Sequence, residues 1–273
     1  MEHDTLIAAA DAYLLGRRDR GLSKDSDLIV IRETAPTRIE AVVYTPVICL
    51  ILRGAKEAVS GGGVHSLTAG DLLLVSHDTP VTARITEASH AAPYLAVILP
   101  IDVGTLRGLY EDVGDSVSSG QGAGAMQVMR ADAGLIEALS RYLALEPGTP
   151  EARVMAPMLK REVHFRLLFS PIGGMLQQLL SPGSHASKIA RSIAEIRRDF
   201  RAPLRLPDLA RSAGMGQSAF HFHFKAITGT SPLQYQKDIR LTEARRLLSD
   251  GDPGVAEVGY AVGYESSAQF SRE

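Results

Sequence analysis

LPDLARSAGMGQSAFHFHFKAITG, residues 206–229, holds two helical stripes on either side of a glycine-rich turn. Leu206, Leu209, Ala210 and Ala213 keep helical spacing. Pro207 is tolerated in a first turn, and Asp208 suits the positive end of a helix dipole. Gly214-Met215-Gly216 ends that helix, and a second one is expected from about Gln217 to Thr228 with Phe220, Phe224 and Ile227 turned inward. Just upstream, Ile189, Ile193, Ile196 and Phe200 recur at i, i+4, i+7 and i+11, the stripe of an amphipathic helix that stops before Pro203. Two short helices at a tight turn, braced by a preceding helix, form the arrangement that lays its last helix in the major groove of double-stranded DNA.

With Phe220 and Phe224 buried, a rotation of 100° per residue leaves Ser218, His221, Phe222 and Lys225 on the outer surface. Polar side chains there are suited to base edges, and Phe222 to a thymine methyl. The plainer alternative is that His221, Phe222 and His223 only cover a neighbouring helix. His221 and His223 are two residues apart and so point to different faces, which argues against a shared metal.

Beyond Gly229-Thr230-Ser231-Pro232 a long helix is expected, with Ile239, Leu241, Ala244, Leu247 and Leu248 on its apolar side. Its roughly 17 residues span about 25 Å, a rod suited to holding two modules near one DNA turn apart. The unit then recurs: a short helix from Val255 to Tyr260, a turn at Val262-Gly263-Tyr264-Glu265, and a second candidate recognition helix from Ser266 onward. Phe270 takes the place of Phe224 in this reading, flanked by Ser267, Ala268, Gln269 and Arg272.

The upstream half has a different rhythm. Leu28-Ile29-Val30-Ile31, residues 46–52, Leu72-Leu73-Leu74-Val75, residues 81–85 and residues 94–99 read as strands. Breaks fall at Arg53-Gly54, Gly61-Gly62-Gly63, Gly70-Asp71 and His77-Asp78-Thr79-Pro80. Such short spacings suit antiparallel hairpins in a small sandwich or barrel and leave no room for parallel βαβ units. Residues 112–126 turn to Gly, Ser and Ala and are expected to form a loop. Two helical stripes follow, Leu135, Ala138, Leu139 and Tyr142, then Met155, Leu159, Val163 and Leu167, suited to covering a barrel mouth or pairing with a second subunit. Ser181-Pro182-Gly183-Ser184-His185 is a polar hinge, which divides the chain into domains 1–182 and 183–273.

Composition bounds these readings. At 45% hydrophobic and 22% charged residues the chain resembles ordinary globular proteins, so it is expected to fold. Cys49 is its one cysteine, which excludes an internal disulfide and a cysteine-based zinc cluster; within an apolar run it reads as a buried thiol. From Ser187 onward there are 13 Lys and Arg against 10 Asp and Glu, a net of +3, against −5 for the remainder. That asymmetry is compatible with nucleic-acid contact without establishing it. The N-terminus places acids before its apolar stretch, the reverse of a secretory signal, and no apolar run approaches the roughly 20 residues of a membrane span. A cytoplasmic protein with no membrane partner is expected.

The run from Ile189 to Arg272 resembles the DNA-binding region of AraC/XylS regulators. Its anchors are Leu209-Ala210, Ser218, Phe224-Lys225, Gly229, Pro232, Tyr235, Arg240-Leu241, Ala244, Leu247-Leu248, Gly263-Tyr264, Phe270 and Arg272. The resemblance implies that Ser218, His221 and Phe222, and then Ser267, Ala268, Gln269 and Arg272, occupy base-reading positions. Arg53-Gly54, the stretch from His65 to Val75, Ser76, Pro80, Pro93-Tyr94 and Arg166-Leu167-Leu168 resemble the cupin-related N-terminal domain of one branch of these regulators. The implied fold is α+β: an N-terminal antiparallel, cupin-like β-barrel with flanking helices, then an all-α region of two helix-turn-helix units joined by a long helix. The implied function is a transcription regulator, an activator with repression left open, that responds to a small-molecule effector, acts on RNA polymerase and has a homodimer as a candidate state. No cofactor or metal is expected, because His65, His77 and His90 stand alone where cupin enzymes cluster their ligands. The alternative is a cupin-type metalloenzyme tethered to DNA, which stoichiometric iron, manganese or zinc in the purified protein would favour.

Three departures from the family pattern bear on these expectations. Phe222 stands where the family often has arginine or another polar residue, which would favour apolar readout over a bidentate guanine contact. Gly259 replaces the usual alanine, at a cost of up to about 1 kcal/mol of helix stability. Glu273 falls inside the second recognition helix, before the phenylalanine and closing helix that normally follow, so a truncated second unit with weaker DNA binding is expected.

Overall fold

The computed structural model describes residues 2–18, 28–113, 124–181, 183–250 and 254–273. Among the described residues its upstream part holds nine strands: β1 (Ile29–Glu33), β2 (Glu40–Tyr44), β3 (Val47–Arg53), β4 (Ala55–Ser60), β5 (Gly63–Thr68), β6 (Asp71–Val75), β7 (Thr79–Glu87), β8 (Tyr94–Pro100) and β9 (Met126–Arg130). They form a five-stranded sheet, β1-β8-β3-β6-β9, and a four-stranded sheet, β2-β7-β4-β5, with antiparallel pairing throughout. The expected barrel is therefore a pair of facing sheets that do not close into one hydrogen-bonded cylinder.

β3 shows why the apolar run around Cys49 is unbroken. Cys49 and Ile51 pack between the sheets, whereas Ile48, Leu50 and Leu52 pack on the other side against helices. A strand covered on both faces needs apolar residues at every position. The covering helices are α1 (Glu2–Arg18), α2 (Val103–Val113), α3 (Ala133–Ala144), α4 (Pro150–Leu168) and α5 (Gly174–Leu180). Leu135, Ala138, Leu139, Leu159, Val163 and Leu167 are buried as their spacing requires, and most of them join the cluster on the outer face of the five-stranded sheet. Asp132 and Thr149 start α3 and α4 by accepting hydrogen bonds from Leu135 N and Ala152 N.

Two expected breaks are resolved differently. Pro80 lies within β7, opposite Val43 of β2, and β7 meets β4 only from Thr82 onward, so Pro80 has a strand neighbour on one side alone. Of the expected loop at 112–126, residues 114–123 lie outside the described residues, and its end is already strand: Met126 of β9 pairs with Val75.

Downstream come α6 (His185–Arg198), α7 (Leu206–Ser212), α8 (Gln217–Thr228), α9 (Pro232–Asp250), α10 (Val255–Ala261) and α11 (Ser267–Ser271). Ile189, Ile193, Ile196, Leu209, Phe220, Phe224, Tyr235 and Ile239 make one core; Ala244, Val258, Val262, Tyr264 and Phe270 make the next. On α9, Ile239 and Ala244 are buried and Leu241 and Leu247 partly so, but Leu248 faces outward at 39% exposure, one position beyond the apolar stripe. The two units share a turn. Met215 N bonds Ala210 O at 2.9 Å across left-handed Gly214, and Tyr264 N bonds Gly259 O at 3.0 Å across left-handed Gly263.

Helix starts correct the pairing of aromatic residues between units. α8 is preceded by N-cap Gly216 and α11 by N-cap Ser266, so Phe220 and Phe270 each lie four residues past a cap. Phe270 is the counterpart of Phe220, not of Phe224. By the same register Arg272 corresponds to Phe222 and Ser271 to His221.

Candidate nucleic-acid interface

α8 is fixed from one side. Phe220 and Phe224 are fully buried, their rings 5.7 Å apart, and Phe224 meets Tyr235 of α9 edge-on at 5.5 Å. Gly229 closes the helix in a left-handed conformation, its N–H bonding Lys225 O. The opposite side is open: Ser218, His221, Phe222 and Lys225 are all exposed, Phe222 at 69%. A phenylalanine this exposed on a helix whose core face is satisfied contributes nothing to that core. His223 behaves differently from its neighbours. Its ring stacks on that of His185 at the start of α6, centroids 3.6 Å apart with 10° between planes, and burial together with the His185 charge lowers its pKa. The helix-covering alternative therefore describes His223 and not His221 or Phe222.

On α11, Ser266 caps the helix by accepting from Gln269 N at 3.2 Å, and Phe270 is buried against Tyr264. Ala268, Gln269 and Arg272 are exposed and Ser267 is half-buried. Ser271, absent from the sequence-based set, is exposed at the place His221 holds in the first unit. Comparing the two units from their helix caps rather than from their phenylalanines would have found it. Gly259 also gains an explanation. A Cβ at that position would meet Phe270 at 3.0 to 3.1 Å, so the missing methyl lets α11 sit close on α10.

What holds the two units together was not legible in either. α6 ends in a turn whose carbonyls have no helical partner. Arg240 of α9 donates to Phe200 O, Arg201 O and Ala202 O at 2.8 to 3.1 Å, and Gln236 donates to Phe200 O and Ala202 O. Arg201 in turn donates to Ala261 O at the end of α10, and Phe200 packs on both cores. One turn thus ties the first unit, the connecting helix and the second unit.

The sandwich docks on the first unit. Asp78 O accepts from the Tyr235 hydroxyl at 2.6 Å, and the Asp78 carboxylate meets Arg197 of α6 at 2.5 Å. Burial, then the Asp78 charge, raises the Tyr235 pKa and keeps this phenol a donor. His77 lies 3.3 Å from Ala186 O through Nε2 and 2.7 Å from the Ser76 hydroxyl through Nδ1. Ala125 N bonds Ile227 O at 2.6 Å, and the Gly61-Gly62 hairpin turn lies against Gly229 so closely that a Cβ on Gly229 would fall 2.1 Å from Gly62 N. The glycine turn at this seam owes its place to the docking region as much as to the sheet. Of the three histidines noted for lack of a metal cluster, His77 is buried in this seam, and His65 is half-buried on β5 with its pKa lowered by burial. Among the described residues no group of three or more His, Cys, Asp or Glu gathers in metal-binding geometry.

Comparison with known proteins matches this architecture. A family described as the AraC-type transcriptional regulator N-terminus matches residues 26–175, more than half of the chain, and a helix-turn-helix domain family matches residues 209–273. The chain belongs to the AraC-type transcriptional regulators. This AraC-type chain is 37% identical over 112 residues to the MmsAB operon regulatory protein of Pseudomonas aeruginosa, covering 40% of this chain and 36% of that protein. It is 26% identical over 96 residues to the transcriptional activator RhaS of Pectobacterium carotovorum, covering 35% and 34%. The matched part spans about a third of the length of these curated relatives. Among solved structures, ToxT of Vibrio cholerae with an unsaturated fatty acid bound superposes with a TM-score of 0.59 at 12% identity, covering 92% of each chain. At that identity the likeness is one of fold. α6, which braces α8 through the shared Ile189, Ile193 and Phe220 core, lies outside both family matches. Among the described residues no helix is long and apolar enough to cross a membrane.

Proposed function

We propose that this protein is a sequence-specific DNA-binding transcription regulator in which residues 1–182 sense a small-molecule effector and residues 183–273 bind the major groove. The observation that carries the proposal is the outer face of α8, where Ser218, His221, Phe222 and Lys225 are exposed while the opposite face is locked by Phe220 and Phe224. Ser267, Ala268, Gln269 and Arg272, now joined by Ser271, would read the second half of the site. Support for the domain boundary comes from the cores, one set ending at Leu180 and the next beginning at Ile189. Support for effector sensing comes from the family of the N-terminal half and from the fatty acid bound in the ToxT structure. The protein works in the cytoplasm, where effector binding changes how the two units are presented to DNA and so assists or blocks RNA polymerase. A homodimer would present two such pairs to a repeated site. The exposed stripe of Val154, Met158 and Phe165 on α4, continued by Phe169 at its C-cap, is the surface we assign to it.

Selection of bound duplexes from random sequence by the purified chain tests the assignment. His221→Ala and Gln269→Ala should each change preference at one or two base pairs, by about 1 to 3 kcal/mol. Lys225→Ala should instead weaken all sequences alike if it meets phosphate. Uniform losses from all three would remove the base-reading assignment.

A further inference from the structure

α6 and α8 pack through Ile189, Ile193 and Phe220, and their contact runs on past its apolar part. His185 lies one turn before Ile189 and His223 one turn after Phe220, so each continues the inward stripe of its helix to the rim. There the two imidazoles stack face to face, centroids 3.6 Å apart with 10° between planes. Two apolar rings would cover the rim as well, whereas imidazoles change their charge between pH 5 and 8.

The stack has a third member. Phe222 meets the His223 ring edge-on, centroids 5.2 Å apart with 82° between planes. Successive side chains on a helix point about 100° apart and do not face each other, so both rings lean to one side, where His185 holds His223. The contact covers one flank of Phe222 and leaves the ring 69% exposed. An unsupported aromatic at that exposure exchanges among staggered rotamers, and a ring already held loses less freedom on meeting DNA.

Charge decides whether the stack stands. α6 brings Lys188 as well as His185, but the Lys188 Nζ lies toward Gly214 in the turn before α8. On α7 Asp208 pairs with Arg211; on α9 Lys237 pairs with Glu273 and Asp238 accepts from Gln234; in the sandwich Asp78 pairs with Arg197 and His77 meets Ala186 O. His221 and Lys225 of α8 itself are exposed. Among the described residues no carboxylate pairs with either stacked ring. Burial and then the His185 charge lower the His223 pKa. One proton on the pair is tolerated, but two like charges at this spacing repel.

We propose that His185 and His223 are positioning residues for base reading: their stack is a wall that fixes the Phe222 ring against its base pair, and a second proton on the pair takes the wall down. This inference rests on the reading of α8 as a recognition helix and adds a pH response to it. Both rings are neutral and the wall stands above the ordinary histidine value of 6.5, and discrimination at the base pair under Phe222 falls as pH drops below it.

Selection of duplexes at pH 7.5 by the full wild-type chain and by Phe222→Ala identifies the base pair whose preference Phe222 sets. Affinities for duplexes matched and mismatched at that pair are then measured at pH 7.5 and 5.5. Their ratio cancels any unfolded fraction and any uniform attraction of protonated histidines to phosphate. The wild-type ratio should be about ten-fold at pH 7.5 and shrink about three-fold or more at pH 5.5. His223→Phe and His185→Phe each keep a ring but exclude a second proton, and should hold the ratio at both pH values. His223→Ala and His185→Ala remove the wall and should lower the ratio at both; His185 is exposed, so its variants keep the fold even if those of the half-buried His223 do not. A wild-type ratio that ignores pH, a fall that persists in the phenylalanine variants, or a full ratio in His185→Ala would each overturn the proposal. A preference that depends on Phe222 but not on the histidines removes the wall and keeps the recognition helix. Wild-type preferences in Phe222→Ala would remove base reading by Phe222 and the proposal together.

Discussion

Arg240 spreads its guanidinium over the carbonyls of Phe200, Arg201 and Ala202, and its charge lies 5.6 Å from the Tyr264 ring. An ammonium cannot match a planar fork with several fixed donors, so Arg240→Lys is not a conservative change here. Losing these charge-assisted bonds should cost about 1 to 3 kcal/mol, read as a lower midpoint in chemical denaturation. Gln236→Ala should act in the same direction with a smaller effect, because Arg240 still serves both carbonyls that Gln236 reaches. Phe222 invites the reverse experiment. Its counterpart in the second unit is Arg272, so Phe222→Arg gives both recognition helices a guanidinium at the same position. With Phe222 exposed, folding should be unaffected, and selection from random DNA should gain a guanine at one position, favoured by about 1 to 3 kcal/mol. An unchanged preference would place that face away from the bases.

The contact between α10 and α11 depends on a glycine that helix propensity alone would condemn. Alanine at 259 adds helix stability of up to about 1 kcal/mol, yet its methyl would press on Phe270 at 3.0 to 3.1 Å, and valine would have still less room. Gly259→Val should therefore lower thermal stability and reduce DNA affinity through the second unit, while the base preferences set by α8 remain. Normal affinity in that variant would show that α11 does not need its seat on α10. Elements differ in how far a sequence reveals them. α6 and α8 were legible because their apolar residues recur at helical intervals and face one core. α1 and α2 carried similar stripes, Leu6, Ala10 and Tyr13, then Leu106, Leu109 and Val113, and periodicity could have found them. β9 could not be found that way: five residues are too few for a period, and it is a strand only because β6 lies beside it. The outer face of α8 followed from its inner one, whereas the Phe200–Ala202 tie did not. No spacing rule says which orphan carbonyls a residue 34 to 40 positions away will reach. The mistaken equivalence of Phe270 with Phe224 has a related origin, since an aromatic residue alone does not fix where a helix begins.

At the scale of the molecule, the first DNA-binding unit is not free on a tether but docked on the sandwich through Asp78, His77 and the Gly61-Gly62 turn. A change in the sandwich therefore has a physical route to α8, through Ala125 to Ile227 and through Asp78 to Arg197 and Tyr235. Coupling of this kind requires that a ligand favour one arrangement over the other. His77 makes the seam sensitive to pH, and the sign follows from its surroundings. Burial, the largest influence, lowers its pKa below the ordinary 6.5, while the Ala186 carbonyl and the Asp78 charge oppose this less strongly. In the folded chain the ring stays neutral where the unfolded chain has already taken up a proton. Stability from this group is thus fully present above 6.5, falls as pH drops below it, and levels off once the folded pKa is passed. Each unit of depression corresponds to about 1.4 kcal/mol. Against the upward pull of burial, hydrogen bonds and neighbouring arginines lower the pKa values of Asp71 and Glu162, which lose their contribution only below the ordinary carboxylate range, whereas burial raises that of Asp238, so across pH 7.5 to 5 the histidine effect is read as a difference between wild type and variant. His65 and His223 shift in the same direction as His77, and a variant must separate them. His77→Gln can keep an N–H aimed at Ala186 O but takes up no proton. Denaturation across that window should show wild-type stability falling faster toward acid pH than that of His77→Gln, with the two closest at pH 7.5. Parallel curves would mean that His77 is protonated in the folded chain without cost, and the pH response would then belong to other groups.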